Sequence, residues 1–417
     1  MPTPIYLCLA HMSPEGTEQA YIKEAFDTNW VVPLGPNVNG FEDDLKQFHG
    51  GQREVVALSA GTAAVHLTLI ACGVTAGDEV IVQSFTFCAS SHPITYLGAR
   101  PVFVDSEADT WNMDPELLEL AIKDRISQTG RVPKAIVPVY LYGMPAKIDQ
   151  ILAIADRYNI PVIEDAAEAF GSNYRGQMCG TFGRYGVLSF NGNKMITTSG
   201  GGALICPDAE AKRHIMWLAT QAREAYPYYQ HETIGFNYRM SNICAGIGRG
   251  QMTIAADHIA HHQRIQRMYE EMLGEVEGIT VHSQPATGEF DANYWLCTIT
   301  LDPALRVRGQ EQAYAAAIQG AVGGAAGVTH AAEALTTDCQ PNANVEAMRL
   351  FLEQKRIESR PLWKPMHKQP VYRDAVAYTN GVSEALFRVG MCLPSGPCVS
   401  DEDVQYIVAS IKEAIEA

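Results

Sequence analysis

Glu54-Val-Val-Ala-Leu-Ser59, Thr62-Ala-Ala-Val-His-Leu-Thr-Leu-Ile-Ala-Cys72, Glu79-Val-Ile-Val-Gln83: the fold is decided by this stretch. Two short, continuous apolar runs rich in valine and isoleucine flank a helix-forming run. A strand that is apolar on both sides must be covered on both faces, and a helix between two such strands is the usual parallel crossover. The alternation continues to about residue 206. Arg100-Pro-Val-Phe-Val-Asp105 precedes a helix predicted from Asp114 to Ile126. Lys134-Ala-Ile-Val-Pro-Val-Tyr140 precedes one from Lys147 to Tyr158. Ile160-Pro-Val-Ile-Glu-Asp165 and Gly186-Val-Leu-Ser-Phe190 follow as strands, and a helix begins near Ala89. The class is α/β, with a mostly parallel sheet.

Beyond about residue 245 the pattern changes. Gln251 to Glu277 reads as one long helix, Ile279–His282 and Asn293–Leu301 as strands, and Val345–Gln354 and Asp401–Glu416 as helices. This predicts two units: residues 1–250, a large unit with an N-terminal arm, and residues 251–417, a smaller α+β unit. Gln310 to Leu335 is dominated by alanine and glycine, and reads either as a loose helix with a loop or as a mobile segment.

The chain has 417 residues and a net charge of −16, a balance that disfavours general binding to nucleic acid or anionic membrane. No apolar run reaches the length of a bilayer span. The first residues carry no basic, secretory-type leader, so a cytoplasmic protein with reduced thiols is expected for its ten scattered cysteines. Asp257-His258-Ile-Ala-His261-His262 has helical metal-ligand spacing but no further patterned ligand, so it reads as the solvated face of a helix, and no metal site is expected.

The residues that carry chemistry lie at strand ends. Asp165 closes an apolar strand, and Lys194 follows in the glycine-rich segment Ser189-Phe-Asn-Gly-Asn-Lys194-Met-Ile-Thr-Thr-Ser-Gly-Gly-Gly202. A lysine amine able to form a Schiff base and a carboxylate able to keep a pyridine nitrogen protonated are what pyridoxal phosphate requires. By themselves, Lys194 also fits a solvated loop and Asp165 a helix cap. Gly61, Thr62 and Ala63 open a helix where free N–H groups favour a phosphate, although any helix N-terminus shares that property. Phe87 follows a strand and is placed either to stack on a flat cofactor or to join the core. Glu168 stands three residues after Asp165.

With these motifs in order, the chain resembles the DegT/DnrJ/StrS-type sugar-nucleotide aminotransferases, which are fold-type I pyridoxal phosphate enzymes. The resemblance runs through Pro33-Leu-Gly-Pro36, Phe41-Glu42, Ser59–Ala64, Ser84–Phe87, Tyr142-Gly143, Glu164–Gly171 and Ser189–Gly202. It continues in Gly235–Ser241, Ser359–His367 and Leu393–Ser395. It implies an aspartate-aminotransferase-like large unit with a mostly parallel seven-stranded sheet. It also implies Lys194 as the Schiff-base lysine, Asp165 on the ring nitrogen, Phe87 on the ring face, and Thr62, Ala63 and Ser189 on the phosphate. Asn237 would reach the phosphate of a neighbouring subunit, which implies a homodimer with shared sites. Asn29, Trp30, Arg360, Trp363 and His367 match positions around the sugar-nucleotide pocket. Many family members have glutamine where Glu168 stands, on the cofactor's ring oxygen; a glutamate must be protonated to donate there, or else the ring oxygen carries the proton.

Within the family, Asn191-Gly-Asn-Lys194, Thr198–Gly202, Thr220-Gln-Ala-Arg223 and Asn29-Trp30 are similar to the group acting on UDP-linked 2-acetamido-4-keto-6-deoxy sugars, of the UDP-N-acetylbacillosamine type. The implied reaction is transfer of an amino group from L-glutamate to a UDP-4-keto sugar, for surface polysaccharide or glycan synthesis. Two alternatives are a pyridoxamine phosphate-dependent sugar dehydratase, whose relatives carry histidine at the Lys194 position, and a catalytically silent cofactor-binding regulator.

Overall fold

The computed structural model describes residues 3–314 and 339–415. Most of the alanine- and glycine-rich segment Gln310–Leu335 lies outside the described residues.

Seven strands of the first half form one sheet: Glu54–Leu58, Glu79–Gln83, Arg100–Val104, Ile136–Val137, Ile163–Asp165, Tyr185–Ser189 and Gly202–Cys206. They fall in one ladder of four strands and one of three, which bridges between Ile136 and Val162 and between Val139 and Asp165 join into one. Neighbours pair in parallel except around Gly202–Cys206, which runs antiparallel to both Glu54–Leu58 and Tyr185–Ser189. An eighth strand was not foreseen. Val376–Tyr378, from far along the chain, pairs in parallel with Arg100–Val104 at the sheet edge.

The sheet is covered on both faces, which is why its strands read as unbroken apolar runs. Successive residues point to opposite sides. Val55, Ala57, Val102, Val104, Ala203 and Ile205 join one core cluster, whereas Val56, Leu58, Phe103, Leu204 and Cys206 join another. A third core lies under an antiparallel sheet of Ile279–Val281, Cys297–Leu301, Gly390–Leu393 and Arg360–Pro361. The helices Ala255–Leu273, Ala343–Gln354 and Asp401–Ile415 contribute to that third core. The N-terminal segment reaches it too, through a bridge from Ile5 to Ile357.

Several element boundaries differ from the sequence reading. The predicted long helix is two: Asn242–Met252 ends, and Ala255–Leu273 begins after a break at Thr253 and Ile254. Three glycines in Asn242–Met252 explain how other segments approach it closely, since a Cβ on Gly248 would lie 2.6 Å from the Phe41 ring and one on Gly250 2.5 Å from Glu18 N. The Asn293–Leu301 strand begins only at Cys297, because Tyr294 adopts φ 49° and turns the chain before it. His258 and His262 are buried rather than solvated; their Nδ1 atoms meet the carbonyls of Met195 (3.1 Å) and Tyr294 (3.2 Å).

Candidate active site

The C-terminal ends of Glu54–Leu58, Glu79–Gln83, Ile163–Asp165 and Tyr185–Ser189 open on one edge of the sheet, where α/β proteins place ligands. A cavity of about 410 Å³ lies there. Its lining brings together Gly61, Thr62, Phe87, Asp165, Glu168, Ser189, Lys194 and Trp363 from segments up to 302 positions apart (363 − 61).

Glu164 and Asp165 show how a strand sorts two adjacent carboxylates. Alternation turns them to opposite sides. Glu164 becomes structural: it accepts hydrogen bonds from the N–H groups of Gly180 (2.8 Å), Phe182 (2.7 Å) and Gly183 (2.5 Å), and from the Tyr140 hydroxyl. Asp165 faces the cavity. Its Oδ2 accepts from Ser90 Oγ (2.6 Å) and its Oδ1 from the Ala167 N–H (3.1 Å). Burial pushes its carboxyl above the usual range, against those bonds and the charge of Lys194. A carboxylate in that setting is suited to a cationic partner.

Lys194 projects from the loop between Tyr185–Ser189 and Gly202–Cys206. The loop is pinned by Phe190 N to Gly201 O (2.9 Å), Thr198 N to Phe190 O (3.0 Å) and Lys194 N to Asn191 O (3.0 Å). The fold gives this lysine an acidic neighbour that its own glycine-rich segment lacks. Glu168 Oε1 lies 3.5 Å from Lys194 Nζ. The other Glu168 oxygen accepts from the Tyr142 N–H at 2.7 Å, and burial raises the carboxyl despite the adjacent lysine. On its other side, Lys194 Nζ sits 3.8 Å from the centroid of the Trp295 ring.

The helix Gly61–Ala71 starts at the cavity with no side-chain cap on its N-cap, Ala60. Its first N–H groups therefore remain available to an anion. The approach to it requires glycine. A Cβ on Gly61 would stand 3.1 Å from Ser189 Cβ, and one on Gly202 2.3 Å from Gly61 N. This cradle, with the Ser189 side chain beside it and Asp165 and Lys194 in the same cavity, fits the phosphate, the ring nitrogen and the aldehyde of pyridoxal phosphate.

The other predicted residues differ in how they stand to the cavity. Ala63 is buried one residue behind the cradle. Phe87 is 49% exposed and tilts on Trp363, with centroids 5.3 Å apart, while Trp363 stacks on Tyr142. His367 is not in the lining; Ser84 Oγ lies 2.6 Å from its Nδ1 and Glu384 Oε1 3.2 Å from its Nε2. Arg360 is exposed and pairs with Glu358. Asn29, Trp30 and Asn237 are exposed and outside the lining. Among the described residues, no group of three histidine, cysteine or acidic side chains is placed to hold a metal ion.

Ser90, Tyr142, Asn293 and Trp295 escaped the reading of the sequence as site residues. Ser90 carried a faint signal, being polar just beyond Phe87. Trp295 carried none: it bonds to Asn193 from 102 positions away.

The pattern of the DegT/DnrJ/EryC1/StrS aminotransferase family matches residues 13–323 and 318–412. The chain belongs to this family. It is similar to EpsN of Bacillus subtilis (strain 168), which carries the name of a pyridoxal phosphate-dependent aminotransferase: 43% identical over 403 residues, 96% of this chain and 92% of that protein. It is 34% identical over 408 residues to the GDP-perosamine synthase of Escherichia coli O157:H7, with 98% of each chain covered. Among solved structures, a DegT DnrJ EryC1 StrS aminotransferase from Brucella abortus superposes with a TM-score of 0.81 at 28% identity, over 97% of this chain and 96% of that one. The aminotransferase therefore has the fold-type I architecture, acts on a sugar and uses pyridoxal phosphate. No helix among the described residues is long and apolar enough to cross a membrane.

Proposed function

We propose that this aminotransferase moves the amino group of L-glutamate to C4 of a UDP-linked 2-acetamido-4-keto-2,6-dideoxyhexose. The convergence of Lys194, Asp165 and the uncapped start of Gly61–Ala71 on one cavity carries the transamination reading. The UDP-sugar reading is supported by the likeness of Asn191–Lys194, Thr220–Arg223 and Asn29-Trp30 to that group. A GDP-linked keto sugar is the second reading, on the strength of the GDP-perosamine synthase likeness.

Pyridoxal phosphate, when bound, supplies an electron sink for the carbon that loses or gains the amine. Gly61, Thr62, Ala63 and Ser189 hold its phosphate, Asp165 its ring nitrogen, Phe87 its ring face and Glu168 its ring oxygen. Lys194 anchors it and, once free, carries a proton on Nζ to and from the substrate carbon. Glu168 Oε1, 3.5 Å from Nζ, balances the charge that this amine gains and loses. Asn29, Trp30, Arg360, Trp363 and His367 shape the nucleotide-sugar end, His367 by bracing the Trp363 segment against Ser84 (2.6 Å).

The active unit in this reading is a homodimer in which Asn237 serves the partner's phosphate. Large exposed side chains at Trp30, Val31, Tyr228, Tyr229 and Ile234 support a covered surface there. We place the enzyme in the cytoplasm, where its ten cysteines stay reduced. We also retain a division into residues 1–250 and 251–417.

Purified protein incubated with L-glutamate and a panel of UDP- and GDP-linked 4-keto sugars, with products read by NMR, tests this reading. A 4-amino sugar from the UDP substrate is expected. Turnover of GDP sugars alone would overturn the nucleotide, and a deoxy sugar formed without glutamate would mark a dehydratase.

A further inference from the structure

The amine of Lys194 is flanked by groups of unlike chemistry. Glu168 offers a carboxylate at 3.5 Å, and Trp295 offers the face of its indole at 3.8 Å from the ring centroid. Trp295 is only 2% exposed, lines the cavity, and donates its indole N–H to Asn193 O at 2.6 Å, one residue before the lysine. One side chain thus touches both the amine and the backbone that carries it.

A frame of hydrogen bonds surrounds this contact. Asn293 Nδ2 donates to the carbonyls of Glu168 and Phe170, both at 3.0 Å, while its Oδ1 accepts the Trp295 backbone N–H at 2.8 Å. The same amide therefore sets the spacing between the carboxylate and the indole. Ser395 Oγ donates to Trp295 O at 2.9 Å. From behind, His258 meets Met195 O and His262 meets Tyr294 O, one turn apart on the helix Ala255–Leu273. A carbonyl only accepts, so each Nδ1 is the protonated nitrogen. The histidine motif of the sequence thus clamps the residue after Lys194 and the residue before Trp295.

We propose that Trp295 is a positioning residue for the reaction: its ring face holds the Lys194 amine in place, and its N–H fixes the lysine loop. This rests on Lys194 being the reactive amine. The π face of indole attracts an ammonium more strongly than phenol or benzene does, most of all where water is excluded. It stabilises the protonated amine and releases it as the charge is lost. The other titratable groups facing the amine are Glu168, Asp165 and, from the N-terminal segment, the thiol of Cys8.

The test uses the full-length protein freed of cofactor. The rate at which trinitrobenzenesulfonate modifies Lys194, located by peptide mass, is followed across the alkaline range in wild type, Trp295→Phe and Trp295→Leu. The midpoint is expected to fall by roughly one unit in Trp295→Leu and by less in Trp295→Phe, which keeps a ring but not the N–H. Coincident midpoints in variants that melt like wild type would overturn the proposal. If Trp295→Leu does not fold, Trp295→Phe and Trp295→Tyr carry the test, both titrating below wild type. Borohydride trapping of cofactor on Lys194 in the wild-type holoenzyme is the separate check: its failure overturns the reading of Lys194, whereas coincident midpoints overturn only the role of Trp295.

Discussion

Asp165 and Glu164 are chemically near-identical neighbours with opposite fates. Glu164 is consumed by backbone donors and a tyrosine hydroxyl, and Asp165 keeps a face toward the cavity. Asp165→Asn is therefore expected to bind cofactor yet turn over roughly 10²–10³-fold more slowly, as when a preorganised charge is removed; a rate near wild type would remove its electrostatic role. Lys194→Ala should abolish turnover and leave no lysine to trap cofactor under borohydride, and retained transamination would sink the assignment. Glu168→Gln tests the ion pair that the linear sequence hid. It removes the carboxylate 3.5 Å from Nζ, so kcat should fall several-fold while cofactor still binds. A rate equal to wild type would show that Glu168 does not serve that amine.

Loops and helix starts position the site through close backbone approach. Gly202 is the clearest case, since its missing side chain lets the Gly202–Cys206 strand lie against the start of Gly61–Ala71. A Cβ there would meet Gly61 N at 2.3 Å and Ala60 C at 2.5 Å, and backbone atoms yield less than a flexible side chain. Gly202→Ala should cost about 1–3 kcal/mol of stability and weaken cofactor affinity as the phosphate cradle is pushed apart. Thermal melting with and without cofactor checks both, and an unchanged affinity would separate the cradle from phosphate binding. The break at Thr253 and Ile254, unlike this contact, left no mark in the polar and apolar pattern, because both flanking helices keep the same amphipathic rhythm.

Buried imidazoles give the whole molecule an acid sensitivity. Burial holds His49 at about 4 and His262 and His282 at about 3, below the ordinary 6.5. Their Nε2 atoms are buried without a partner, so a proton there would be an uncompensated charge. The unfolded chain binds more protons than the folded one below pH 6.5, so stability falls as the pH falls through that window toward 4. The buried carboxyls of Glu164, Asp165 and Glu168 are raised and act in the opposite sense, so the measurement is a comparison. His49→Gln should lose less urea resistance than wild type between pH 6.5 and 4. Parallel losses would rule out His49 as a source of the effect.

Much of this protein was readable in one dimension. Unbroken apolar strands such as Glu54–Leu58 declared a sheet covered on both sides, because only burial on two faces tolerates them. Glycine and hydroxyl residues around Gly61 and Ser189 declared a closely approached helix start, because only small side chains allow that approach. Contacts between distant segments were another matter. That Val376–Tyr378 extends the first sheet, that Glu168 faces Lys194, that Trp295 covers it and that His258 and His262 lie buried behind it depends on which surfaces meet. Local sequence encodes periodicity and backbone freedom; the partners of a buried charge are chosen only when the sheet, the lysine loop and the helix Ala255–Leu273 pack together.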